Sequence, residues 1–78
     1  MIDPSYDEID FIRRITARGG DIKLQGEIKL LKIDRLVPVY VAYANAGKDT
    51  GVFTLTPTGL GLARLIEEKY PLPGGAPF

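Results

Sequence analysis

Val39-Tyr40-Val41-Ala42-Tyr43-Ala44-Asn45-Ala46-Gly47-Lys48-Asp49-Thr50-Gly51-Val52-Phe53-Thr54-Leu55-Thr56-Pro57-Thr58-Gly59 is the stretch that decides the fold. Two runs rich in β-branched and aromatic residues flank a Gly/Asp/Asn cluster, a pattern that predicts a β-hairpin. Its strands are expected over 39–45 and 52–56. Lys48-Asp49-Thr50 forms the tip, with Gly47 and Gly51 placed to supply positive φ. Tyr40 and Tyr43 fall on opposite faces of the first strand, so one of the two is expected at the surface. The second strand ends in Thr-Pro, which suits Thr56 as a helix N-cap and Pro57 as the first helical residue. A closing helix is predicted over 57–70, with Leu62, Leu65, Ile66 and Tyr70 as its apolar stripe and Ala63 alongside. Gly59 and Gly61 weaken its first turn and permit close packing there. Pro71 stops this helix, and residues 71–78 read as a flexible tail.

Upstream, Asp3-Pro4-Ser5-Tyr6-Asp7-Glu8 offers two helix starts. Asp3 can cap with Pro4 at the first position, or Ser5 can cap with Glu8 in a capping box. Met1 and Ile2 before them are expected to fray. Ile9, Phe11, Ile12 and Ile15 then recur at helical spacing, with Asp10, Arg14 and Arg18 on the other face. A helix over 4–18 is predicted, ended by Gly19-Gly20. Residues 21–37 carry two periods at once. Ile22, Leu24, Gly26, Ile28 and Leu30 alternate with polar residues, while Leu30, Ile33 and Val37, and on another side Ile28 and Leu31, recur as in a helix. The reading adopted is a strand over 21–24, a break at Gln25-Gly26, and a helix over 27–37 that Pro38 terminates. The rival reading is one long strand.

Seventy-eight residues make a single domain, expected over 1–70. The chain has no cysteine, histidine or tryptophan. That removes thiolate metal sites, disulfides and every Ser-His or Cys-His nucleophile. The clustered carboxylates, Asp7/Glu8/Asp10 and Glu67/Glu68, are explained by helix ends, and the single serine, Ser5, lies at a cap. No enzyme, cofactor or metal is expected, and no small-molecule ligand is evident. No apolar run approaches the ~20 residues of a membrane span, and the acidic N-terminus is unlike a signal peptide. Cytoplasmic residence without membrane contact is the resulting expectation. The formal net charge is zero, but residues 11–64 hold nine bases against Asp21, Glu27, Asp34 and Asp49, a surplus of +5. The middle of the chain can therefore present a positive face.

Phe53-Thr54-Leu55-Thr56-Pro57-Thr58-Gly59 resembles the third strand and following helix start of the MarR and PadR winged-helix families. Arg18 to Glu27, with Arg35-Leu36-Val37 after it, resembles small prophage-type winged-helix proteins. The resemblance covers roughly residues 9–68. It implies an α+β winged-helix-like fold in the order α-β-α-β-β-α with a two-stranded wing. One departure is plain: residues 25–37 have room for a single helix, where a helix-turn-helix needs two. The resemblance also implies double-stranded DNA as partner. Lys29, Lys32 and Arg35 would face the major groove from the helix over 27–37, and Lys48 would touch phosphate from the wing tip. A DNA-binding or regulatory accessory factor is the first functional expectation. A protein-interaction or structural module on the same scaffold, binding a protein partner or a second copy and no nucleic acid, is the second. A β-rich phage structural subunit follows if 21–33 forms one strand.

Overall fold

The computed structural model describes residues 2–26 and 28–70, with Lys29 described by its backbone alone. The elements are α1 (Tyr6–Ala17), β1 (Asp21–Gln25), a 3-10 turn (Ile28–Leu31), β2 (Val41–Gly47), β3 (Thr50–Leu55) and α2 (Pro57–Lys69). The three strands form one antiparallel sheet in the order β1-β3-β2. This is an α+β architecture of two helices on a three-stranded sheet. The expected tail, residues 71–78, lies outside the described residues.

Of the two possible starts for α1, Ser5 is the one used. Its Oγ accepts the Glu8 amide at 3.2 Å, and Glu8 Oε1 accepts the Ser5 amide at 2.8 Å, completing the capping box. Four apolar residues of α1, Ile9, Phe11, Ile12 and Ile15, turn inward together. Arg18 caps the far end, and Gly19 follows at φ +86°, a left-handed turn suited to glycine. At the other helix, Thr56 Oγ1 accepts the Gly59 amide at 3.0 Å and Pro57 opens the first turn. Gly59 has a second reason to be glycine, because a Cβ there would overlap the Tyr40 carbonyl oxygen. Close packing of α2 on the chain before β2 depends on that missing carbon.

Along each strand, alternate residues face the helices. Ile22, Phe53, Leu55 and Val41 are buried on that side, and Phe53 meets Phe11 edge-to-face, ring centroids 5.2 Å apart. The other side carries Lys23, Ala42, Ala44 and Thr54, all exposed. Such one-sided burial is ordinary for an antiparallel sheet.

The helix expected over 27–37 does not form. Gly26, at φ +96°, turns the chain out of β1 and donates its amide to Asp49 O at 2.7 Å. One 3-10 turn follows, and Lys32 at φ +54° breaks it. The chain then closes in hydrogen-bonded turns, with Leu36 N donating to Ile33 O, and Tyr40 N and Val41 N both donating to Leu36 O. The physical reason is burial. Apolar residues stand on several sides of this segment, and one helix would bring only one stripe inward. The irregular path buries Ile33 and Leu36 almost completely and leaves Leu30 66 % exposed. The long-strand alternative fails because β1 ends at Gln25 and Gly26, at φ +96°, turns the chain away. Ile2 also departs from expectation: it is half-buried, and its amide donates to Tyr40 Oη at 3.3 Å.

Candidate functional site: an uncovered hairpin edge

The expected nucleic-acid face, Lys29, Lys32 and Arg35, does not share a helix. Lys32 sits at the positive-φ break and is exposed. The Lys29 side chain lies outside the described residues. Arg35 is engaged: its Nε donates to Glu8 Oε2 at 3.0 Å, its Nη2 to Glu8 Oε1, and the same Nη2 to Asp3 O at 3.2 Å. Glu8 is only 2 % exposed, so this bidentate pair ties the loop before β2 to the start of α1. The Arg35 hydrogen bonds hold the Glu8 carboxyl below the usual carboxylate range, against the opposing effect of burial, while the Ser5 amide and hydroxyl lower it further. Arg35 is correspondingly pushed up by the Glu8 bond and charge. Asp3 also accepts from Tyr70 Oη at 3.1 Å, which raises that phenol's pKa. Arg35 keeps 58 % of its side chain exposed while paired with Glu8.

Lys48 does occupy the hairpin turn, with Asp49 beside it at φ +52°. The turn is tighter than expected. Thr50 already pairs with Gly47, and a bulge between Asn45 and Gly47 absorbs the extra residue. Gly51, expected to flank the tip and supply positive φ, instead lies buried within β3 opposite Leu24 and Asn45. Its missing side chain seats the Tyr43 ring, since a Cβ at Gly51 would overlap that ring. Tyr43 crosses diagonally to cover the glycine and leans on Phe53, centroids 5.1 Å apart and planes tilted by 53°. Tyr40, expected on the strand, precedes it and is buried. Tyr43 is the accessible one of the two, at 45 % exposure.

β2 is the unusual element. Only Val41 is buried; the six residues from Ala42 to Gly47 are all exposed. The strand contains no charged residue and no proline. Because Leu55 N donates to Gly20 O, the alternation of the ladder turns Phe53 and Gly51 toward β1, and Val52 and Thr54 toward β2. Tyr43 and Asn45 therefore direct their amides and carbonyls away from β3, at an edge of the sheet that none of the described strands covers. The Val41 amide, on the same edge, is taken by Leu36 O. The opposite edge, β1, carries Asp21 and Lys23, charges of the kind that discourage strand pairing. β2 has no such guard within its free stretch.

Beside this edge, on the helix-facing side, a groove of about 480 Å³ runs between the hairpin and the 3-10 turn, lined by Ile28, Leu30, Tyr43, Asn45 and Asp49 among others. A second hollow of about 230 Å³ continues it toward Ile33, Val37 and Phe53, sharing Ile28 and Tyr43. The surface is largely apolar and open. Among the described residues no group of three or more His, Cys, Asp or Glu side chains is placed to hold a metal ion. No helix among them is long and apolar enough to cross a membrane. Sequence reasoning singled out Tyr43 but missed Leu30 and Asn45. The available signal was the uncharged run from Val39 to Gly47. Comparison with protein-family models, curated proteins and solved structures finds no match.

Proposed function

We propose that this chain is a small non-enzymatic interaction module that docks a polypeptide on the β2 edge and the apolar groove beside it. The observation that carries this reading is β2 itself: six consecutive exposed residues, uncharged, with the backbone groups of Tyr43 and Asn45 left open among the described residues. An extended segment added to such an edge gains backbone hydrogen bonds, and adjoining hollows supply side-chain selectivity. Ile28, Leu30 and Tyr43 supply apolar surface for that purpose.

For the nucleic-acid reading, Lys32 and Arg35 stand on an irregular segment instead of a groove helix, and Arg35 is paired with Glu8. The support for that reading is the +5 surplus of residues 11–64, with Lys32 and Lys48 exposed. One isotope-labelled sample tests both readings. Peptides selected against the protein from a random displayed library should shift the amides of Tyr43, Asn45 and Gly47 together with those of Ile28 and Leu30. Mixed duplex DNA at low salt should leave the amides of 28–36 and 47–51 in place at about 100 μM protein, where non-specific binding would register. Peptides that map elsewhere, or DNA that shifts those amides, overturn the module reading.

A further inference from the structure

We propose that the strand completing this edge is β2 of a second copy, paired antiparallel about a two-fold axis at Ala44. The proposal rests on the reading of the hairpin as a docking surface and names its occupant. The free stretch of edge is short. It starts after Val41, whose amide Leu36 O already holds, and ends at the bulge following Asn45. Within it, Tyr43 and Asn45 each offer one amide and one carbonyl. A two-fold at Ala44 sets Tyr43 opposite Asn45 of the other copy, so each free donor meets a free acceptor and nothing is asked of Val41.

Ala44 then faces Ala44 across the axis as a non-hydrogen-bonded pair. This is the closer of the two antiparallel spacings, roughly 4.5 Å between Cα atoms, and it suits a methyl side chain. No like charges are brought together, because the strand has none. The whole chain has a formal net charge of zero, so copies approach without long-range repulsion. The product is a continuous six-stranded sheet whose remaining edges are the charged β1 strands. A contact this short is below the size of standard interfaces, so the dimer is weak and reversible.

The test is sedimentation of the full chain up to about 1 mM, the range where weak association registers, combined with charge variants at the axis. Ala44 is exposed, so Ala44→Lys and Ala44→Glu leave the monomer fold intact, as their backbone chemical shifts will verify. The parent chain should dimerise. Each variant alone should be monomeric, and an equimolar mixture should regain the dimer as Lys meets Glu across the axis. Asn45→Pro, which removes one outward amide, should be monomeric, whereas Asn45→Ala should still dimerise. A parent chain monomeric throughout, or variants that dimerise like the parent, overturns the proposal. If the chain is monomeric but selected peptides still shift Tyr43 and Asn45, only the second copy is overturned. If they do not, the docking reading falls with it.

Discussion

Glu8 joins the start of α1 to the loop before β2. It is buried, closes the capping box of α1 and receives both arms of Arg35 from the loop before β2. Its pKa is lowered, so its stabilising contribution is complete above the ordinary carboxylate value of about 4.3 and is lost as pH falls through the depressed folded value. Thermal melts should show Tm declining below about pH 4. Arg35→Met removes the largest cause of the depression and leaves the burial that opposes it, so the loss of Tm below about pH 4 should become smaller. An unchanged profile would show that the pair does not govern acid stability. Glu8→Gln keeps the shape but loses the charge, and should cost about 1–2 kcal/mol in urea titrations at pH 7. The capping box was legible as one of two local starts, since Asp3 with Pro4 matched a helix entry as well. Arg35 as the partner of Glu8 was not, since the two lie 27 positions apart and only the path of the intervening chain brings them together.

At the scale of elements, both helices and the hairpin formed where local chemistry marked them, and residues 27–37 did not. Helix starts and tight turns are determined by neighbours within a few positions. A segment with apolar residues on several sides has no such local answer, and burial of Ile33 and Leu36 chose an irregular path over a helix. The candidate site inherits that outcome: the groove exists because Ile28 and Leu30 sit on a short turn beside the hairpin. Packing of α2 allows a direct test of how closely the elements meet. Helix propensity alone says that Gly59→Ala gains about 1 kcal/mol. The Tyr40 carbonyl oxygen leaves no room for the added carbon, so the substitution should instead destabilise by about 1–3 kcal/mol in chemical denaturation. A stabilised variant would mean that α2 and the chain at Tyr40 are less closely packed than described.

For the molecule as a whole, size sets the margin. At 78 residues the expected stability is about 4–12 kcal/mol. Phe53 is buried at the centre of the sheet between Phe11 and Tyr43, and its truncation in Phe53→Ala should cost about 3–5 kcal/mol. That is a large share of the total, so the variant should be substantially unfolded by circular dichroism at 37 °C. Retention of a cooperative melt near that of the parent chain would place the main core elsewhere. By itself the sequence determined α1, the strand after Gly20, the hairpin and the start of α2, and it excluded histidine and thiol chemistry. Each of those follows from contacts a few residues apart or from composition. Only the tertiary structure decided the path from Gly26 to Tyr40, the engagement of Arg35 by Glu8, and the exposure of Leu30 and of β2 from Ala42 onward. Those depend on which surfaces compete for one small core, and that competition is settled between residues far apart in the chain.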